Sequence, residues 1–166
     1  VSASRDRTAK IFEAKSGEAI STYGGHRAEV IGVAFRADGQ QVFSAGRDGK
    51  IHIWKAGLAD TAGKRFGAEK VAEIGGVGKA MARLRMNGDW LFSPAKQGGI
   101  RQHAAGSRKL LREFGETKEW VQALAYHASG HRLATGARDG RVCVWDTRTG
   151  KLLGEFVSSP GWGGEH

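Results

Sequence analysis

Short apolar runs alternate with glycine-bearing turns along most of this chain. Residues 30–35 read Val-Ile-Gly-Val-Ala-Phe and residues 50–54 read Lys-Ile-His-Ile-Trp, with Asp-Gly turns at residues 38–39 and 48–49 between the runs. Apolar residues occupy both faces of these runs, which is typical of strands covered on both sides. Asp-Gly, Asn-Gly and Ser-Gly are turn residues of tight hairpins. Because glycine interrupts every window long enough for a helix, the pattern predicts an all-β chain of short strands.

The pattern of runs and turns repeats along the sequence. Residues 30–54 match residues 121–145 at a fixed offset of 91 without a gap, and weaker copies at 1–12 and 87–103 give a period of 42. One insertion of seven residues falls between positions 56 and 70. In the second copy the predicted strands are residues 30–36, 41–45, 50–55 and 69–74. Four short strands per unit, repeated about an axis, predict a β-propeller.

The period divides the chain into about three and a half units within residues 1–157. They are a partial unit at 1–23, a unit at 24–74, a divergent unit at 75–114 and a unit at 115–157, followed by a tail at 158–166. The first unit begins inside its second strand. Because propeller rings have about four to eight blades, we expect these blades to belong to a ring of seven or eight. A segment outside this chain or a second copy would complete it.

Residues in the second and fourth units resemble the WD-repeat (WD40) family. The resemblance rests on Gly25-His26, Ser44, Asp48, Trp54 and the Trp145-Asp146 dipeptide, and it extends from Val1 to about Val157. It implies blades held by a hydrogen-bonded set of His, Ser or Thr, Asp and Trp. By position the set would be His26, Ser44, Asp48 and Trp54 in the second unit, and Thr135, Asp139 and Trp145, with Thr117 in place of histidine, in the fourth. The third unit has Ser93, Gln97 and His103 there, and the first has Ser2, Asp6 and Phe12. Recurrence at one blade position favours a structural role for these side chains over catalysis.

A basic residue precedes the turn between the second and third strands of every unit. The resemblance implies that this turn lies on the face most used for partners, so we expect a partial ring of positive charge that binds an acidic peptide or another anionic group. The alternative is that each base pairs only with its neighbouring turn carboxylate. Glu29 and Trp120 start the first strand of their units, and Trp120 is a candidate partner anchor, with packing between blades as the alternative. The basic residues are Arg5, Arg47, Lys96 and Arg138.

Charge and cysteine content limit the remaining chemistry. The net charge is +9, from 26 Lys+Arg against 17 Asp+Glu, which favours anionic partners or reflects a solvated surface. The single cysteine, Cys143, excludes an internal disulfide framework and a Cys-based zinc site. His127 and His131 lie across a turn without a third ligand, so we expect no metal and no cofactor. No apolar stretch could span a membrane and no signal pattern is visible, which leaves a cytoplasmic or periplasmic location open.

The sequence predicts a scaffold and not an enzyme. It contains no nucleophile–base arrangement, no phosphate-binding loop and no dinucleotide motif. The predicted function is therefore non-catalytic binding of a protein or peptide through the propeller face, with homodimerisation as a way to complete the ring. One alternative, supported by the charge alone, is binding of nucleic acid or another polyanion. The other is an accessory domain of a larger bacterial enzyme or c-type cytochrome protein, which the repeats resemble, although the chain has no haem-attachment motif.

Overall fold

Four antiparallel sheets follow one another along the chain. The structure is a computed structural model and describes residues 1–57, 68–76, 84–95, 98–115 and 119–158. Within these residues all elements are strands, arranged as one three-stranded sheet and three four-stranded sheets in chain order. No helix in the described part of the chain could cross a membrane. The prediction of an all-β chain made of propeller blades is confirmed, and the size of the complete ring stays a prediction.

The strands of each sheet form a meander, so each sheet is one propeller blade. The first blade contains β1 (Ser2–Ala3), β2 (Ala9–Phe12) and β3 (Ala19–Tyr23). The second contains β4 (Val30–Phe35), β5 (Gln41–Gly46), β6 (Lys50–Lys55) and β7 (Lys70–Gly75). The third contains β8 (Arg85–Asn87), β9 (Trp90–Pro94), β10 (Ile100–Ala104) and β11 (Leu110–Phe114). The fourth contains β12 (Val121–His127), β13 (Arg132–Ala137), β14 (Arg141–Asp146) and β15 (Leu152–Val157). The strand β8 contacts β4 on one side and β12 on the other, so the inner strands of successive blades are neighbours.

One irregularity recurs in every blade. In each blade the last strand and the strand before it are paired with a register shift. The shift lies just before the position occupied by the aromatic residue. A bulge of this kind increases the local twist and redirects the side chain that follows it. The same bulge in four blades indicates that the repeat specifies backbone geometry as well as side chains. The shifts lie at Ile11/Phe12, Ile53/Trp54, Gln102/His103 and Val144/Trp145.

The apolar core lies between blades. Along β5, Val42 packs into the cluster shared with the first blade, whereas its neighbour Phe43 packs into the cluster shared with the third. In β9, Leu91 and Phe92 divide in the same way between the second and fourth blades. Alternate side chains of a strand point to opposite faces of the sheet. A blade with neighbours on both sides therefore needs apolar residues on both faces, which explains the pattern of the sequence.

The outermost surfaces of the described blades are less well covered. Phe12 is 42% exposed, whereas Trp54, at the equivalent position of the second blade, is 0% exposed. At the other end of the series every residue of β15 is exposed, including Leu153 and Phe156. Exposed apolar patches of this kind mark surfaces on which another element packs. The described blades thus form an open series with an apolar surface at each end.

Candidate functional site

A chain of four polar side chains crosses the second blade. The Nε1–H of Trp54 donates to Ser44 Oγ at 3.2 Å, and Ser44 Oγ lies 2.8 Å from His26 Nε2. The other ring nitrogen of His26, Nδ1, lies 2.9 Å from Asp48 Oδ2. A carboxylate only accepts, so Nδ1 carries the proton, and Nε2 then accepts from the serine hydroxyl. Every donor has one acceptor, which makes the set a satisfied buried network.

The aspartate fastens this network to two loops. Asp48 Oδ2 also accepts from the amide of Arg27 at 3.0 Å, and its Oδ1 accepts from the amide of Lys50 at 3.2 Å. Burial raises the pKa of Asp48, but the hydrogen bonds from His26 and the Arg27 amide outweigh it and hold the pKa below its usual value. Asp48 is therefore ionised near neutral pH. It joins the loop before β4 to the β5–β6 turn.

Gly46 leaves the space that the network occupies. A Cβ built on Gly46 would lie 2.5 Å from His26 Nδ1 and 2.6 Å from an Asp48 oxygen. The equivalent position of the fourth blade is Ala137, where the structure describes no histidine network. The second blade therefore has the small glycine where the imidazole and the carboxylate meet.

Sequence reasoning missed a second buried pair beside the network. The Tyr23 hydroxyl lies 2.8 Å from His52 Nδ1, and the His52 ring stacks on His26 with centroids 4.0 Å apart. Burial and the nearby His26 lower the pKa of His52 to about 4, and burial raises the pKa of Tyr23 to about 12. Both side chains are therefore neutral at pH 7. The alternation in β6 points to a buried His52, but the contact with Tyr23 of the first blade appears only in three dimensions.

His26, Asp48 and His52 lie close enough to be tested as a metal site. Their potential ligand atoms lie within 4.8 Å of one another. The two imidazoles are nearly parallel, at 10°, so their lone pairs point side by side and do not converge on one ion. Three of the four ring nitrogens already have hydrogen-bond partners at 2.8–2.9 Å. This geometry suits a structural hydrogen-bond network and does not suit an ion.

The other blades retain parts of the network. In the fourth blade Trp145 Nε1–H donates to Thr135 Oγ1 at 3.1 Å, while Asp139 accepts from the Arg141 amide at 3.0 Å. In the third blade Ser93 Oγ and His103 Nδ1 are buried and have no hydrogen-bond partner within the described residues. The predicted positions Gln97 and Thr117 lie outside the described residues. In the first blade Ser2 and Phe12 are exposed, and Asp6 accepts from Thr8.

Three of the four predicted basic residues lie in equivalent turns. Arg5, Arg47 and Arg138 are exposed in the β1–β2, β5–β6 and β13–β14 turns, and Lys96 lies outside the described residues. Arg47 pairs with Glu29 at 2.9 Å and not with the neighbouring Asp48. Arg5 and Arg138 have no ion pair in the part of the chain that the structure describes. Within the described ranges, two guanidinium groups of this face thus lack a carboxylate partner.

Trp120 stands beside Arg138 at the same end of the fourth blade. The amide of Arg138 donates to the Trp120 carbonyl at 3.0 Å, as the amide of Arg47 does to the Glu29 carbonyl at 2.8 Å. Trp120 is 52% exposed in the described structure, and both its role as a partner anchor and its packing between blades stay predictions. A backbone hydrogen bond therefore joins an exposed tryptophan to an exposed arginine that has no ion pair among the described residues.

Known proteins are similar to this chain in sequence and in fold. Residues 17–55 and 108–146 match the family described as WD domain, G-beta repeat. Pre-mRNA-processing factor 19 homolog 2 of Arabidopsis thaliana is 24% identical across 94% of this chain and 29% of its own length. The nuclear distribution protein nudF of Aspergillus niger is 24% identical across 98% of this chain and 41% of its own length. The Denticleless protein homolog of Gallus gallus is 31% identical across 89% of this chain and 19% of its own length.

The chain spans less than half the length of each of these three relatives. Among solved structures, the computationally designed Ika8 protein matches with a TM-score of 0.75 and 23% identity, over 93% of this chain and 45% of that one, which shows the fold alone. The family matches cover the segments that contain Ser44 with Trp54 and Thr135 with Trp145. With its blades and these repeats, the chain is a member of the WD-repeat family.

Proposed function

We propose that the chain is a non-catalytic scaffold that binds an acidic segment of a partner protein. WD-repeat relatives generally act in protein interactions, which supports a protein partner. The binding surface would be the turn face, defined here by Arg5, Arg47 and Arg138 together with Glu29 and Trp120. The polar network of His26, Ser44, Asp48 and Trp54 has a different role, because its groups satisfy one another in the interior. It fixes the β5–β6 turn that carries Arg47.

The observation that carries this proposal is the exposed Trp120 next to Arg138. Tryptophan and arginine are the residues that most often dominate binding energy at protein interfaces. In the second blade the equivalent pair, Glu29 and Arg47, is already closed by an ion pair at 2.9 Å. The fourth blade instead presents an exposed tryptophan and an arginine without an ion pair in the described ranges. A partner segment with a carboxylate beside an apolar residue would fit both.

Binding of fluorescein-labelled poly-glutamate, followed by fluorescence anisotropy, tests the charge of this face. The pair Arg47→Glu and Arg138→Glu is expected to lower the affinity at least about tenfold, because two attractive contacts become repulsive. The matched control is Lys15→Glu with Lys109→Glu, which makes the same charge change on exposed side chains outside the turn face. Equal losses of affinity in both double variants would show that only the net charge matters. The proposal that the turn face binds the ligand would then be wrong.

The same assay separates a protein ligand from nucleic acid. A single-stranded DNA oligonucleotide that binds through phosphates loses affinity steeply as salt is raised. Trp120→Ala should weaken a glutamate-rich peptide that contains leucine more than it weakens poly-glutamate, since only the former uses the ring. Stronger binding of DNA than of both peptides, unaffected by Trp120→Ala, would contradict the proposal of a protein scaffold.

We propose that a second copy of the chain packs on the apolar surfaces at the two ends of the described series of blades. Phe12 at one end and Leu153 and Phe156 at the other are the apolar groups that such a copy would bury. Light scattering coupled to size exclusion should then give twice the mass of one chain. A monomer at all concentrations would show that a second copy does not cover these surfaces.

A further inference from the structure

A cleft of about 410 Å³ lies between the third and fourth blades. Its walls include the β14–β15 turn and the end of the β12–β13 turn, at Thr147, Arg148 and His131. Successive turns of a meander lie at opposite ends of its strands, so these two turns are opposite the β13–β14 turn of the turn face. The cleft is therefore separate from the surface proposed above. Its other lining residues include Trp90, Gln102, Arg112 and Tyr126.

The repeat provides an internal comparison for this cleft. Gln102 pairs across its sheet with Arg112, and the equivalent cross-strand pair in the second blade is Ile53 with Ala72. On the facing blade, Tyr126 and Thr147 follow Leu84 and Ala105 by one period of 42 residues. At the junction between the second and third blades, the equivalent four residues belong to one apolar cluster. Ile53, Leu84 and Ala105 of that cluster are 2–3% exposed. The junction between the second and third blades is thus closed by apolar side chains at the places where the next junction is open and polar.

Two polar groups of the cleft, on Gln102 and Arg112, have no partner among the described residues. Gln102 is 4% exposed, and its Oε1 is buried without a hydrogen-bond partner in the described part of the chain. Buried side-chain acceptors normally have a partner, because leaving one unpaired costs free energy. Arg112 forms no ion pair with any described residue. An acceptor and a cation that need partners therefore line the same cavity.

Arg148 is the second cation, and its backbone is fixed in place. The Asp146 carboxylate accepts from the amides of Arg148 at 2.8 Å and Thr149 at 3.0 Å, and it also pairs with Arg132 at 3.2 Å. Only a contact of 3.9 Å joins Asp146 to the Arg148 guanidinium, which is left largely in solvent. The amide of Thr147 donates to the His131 carbonyl at 2.9 Å and ties the two turns of this wall together. The wall is preorganised, which lowers the entropy lost on binding.

We infer that this inter-blade cleft binds an acidic peptide segment. A peptide N–H would supply the donor that Gln102 Oε1 lacks, and a carboxylate or phosphate of the peptide would lie between Arg112 and Arg148. An apolar or aromatic side chain next to the anion would pack on Trp90, which is 37% exposed, and on Tyr126. Arg112 then gains the anionic partner that no described residue provides, and Arg148 gains a closer one than the Asp146 contact at 3.9 Å.

Three fluorescein-labelled peptides test this inference by anisotropy with the whole chain. They are Gly-Ser-Leu-Glu-Tyr-Asp-Ser-Gly, its phosphotyrosine form, and the neutral analogue Gly-Ser-Leu-Gln-Tyr-Asn-Ser-Gly. An acidic form should bind with a dissociation constant below about 100 µM, and the neutral analogue about tenfold more weakly. Tighter binding of the phosphotyrosine form identifies a phosphate as the anion, and tighter binding of the unmodified form identifies a carboxylate. Either result supports the cleft.

Two sets of variants locate the binding. Arg148→Ala removes an exposed side chain, and Gln102→Ile with Arg112→Ala copies the pair Ile53 and Ala72, which already face each other in the second blade. Each should weaken the acidic peptide at least about tenfold and leave circular dichroism unchanged. Arg108→Ala, an exposed arginine outside the cleft, and Arg138→Glu on the turn face should change the affinity less than about twofold.

Three outcomes would overturn the inference. They are equal affinities for the acidic and neutral peptides, absence of binding at about 1 mM peptide, and loss of binding in Arg138→Glu without loss in Arg148→Ala. The last outcome would assign the peptide to the turn face and leave the proposed scaffold function standing. Conversely, loss in Arg148→Ala alone supports the cleft even if the turn face binds nothing.

Discussion

The second and fourth blades have nearly the same sequence pattern but differ in how their aromatic residue is held. Trp54 is completely buried and stacks face to face on Tyr23 of the preceding blade, with centroids 5.0 Å apart. Trp145 is partly exposed and meets Phe114 of its preceding blade edge-on at 6.3 Å. Both indoles donate to a hydroxyl of their own blade, Ser44 or Thr135. The hydrogen bond belongs to the repeat unit, and the degree of burial is set by the neighbouring blade.

Removal of the two indoles should give the largest contrast. Trp54→Ala is expected to lower the free energy of unfolding by about 4 kcal/mol, because it leaves a cavity and removes the hydrogen bond to Ser44. Trp145→Ala should cost about half as much, since solvent already reaches that ring. Urea denaturation followed by far-ultraviolet circular dichroism measures both. Equal losses would show that burial by the neighbouring blade does not decide the contribution of this residue.

The glycine beside the network should give an intermediate contrast. Gly46→Ala places a methyl group against His26 and Asp48, so we expect a loss of about 2–3 kcal/mol from overpacking and a broken network. The reverse change in the fourth blade, Ala137→Gly, should cost less than about 1 kcal/mol, the usual backbone effect. Thermal unfolding of both variants tests the contrast. A harmless Gly46→Ala would mean that the network adjusts without cost.

Acid titration should give an effect no larger than that of Gly46→Ala. His52 has a folded pKa of about 4 against 6.5 when unfolded, so between these values only the unfolded chain takes up the proton. The free energy of unfolding should fall by about 2–3 kcal/mol as the pH drops from 6.5 to 4 and should lose nothing further through this group below that. Asp48, whose folded pKa is lowered, contributes its own loss at still lower pH.

His52→Gln is the control for this titration, because glutamine can still bond to the Tyr23 hydroxyl but does not titrate. The variant should flatten the pH dependence between 6.5 and 4. The fourth blade has Cys143 at the equivalent position, and burial raises the pKa of its thiol, so this position takes up no proton between pH 6.5 and 4. An unchanged pH profile in His52→Gln would exclude this imidazole as the source.

Much of the fold could be predicted from the sequence, because the same pattern of strands and turns occurs in several repeats. The fixed offset between the second and fourth units gives strand order and turn positions, and it predicts β4 to β7 to within one residue. The resemblance to the WD-repeat motif also suggests which side chains of the second unit contact one another. The partner of Arg47 was not visible in this way, because Glu29 lies in the loop just before β4 and only the folded turn brings it within 2.9 Å of Arg47.

The cleft shows most clearly what a one-dimensional pattern omits. Gln102 and Arg112 interrupt the apolar pattern of two strands. Each alone would be interpreted as a solvent-exposed polar substitution in a divergent unit. Only the pairing of β10 with β11 and the approach of the fourth blade place them with Arg148 around one cavity. The sequence by itself determined the blades, because local alternation, turns and repeat length act within about 42 residues. Which surfaces are closed, and which polar groups are left without partners, was decided only by packing between blades.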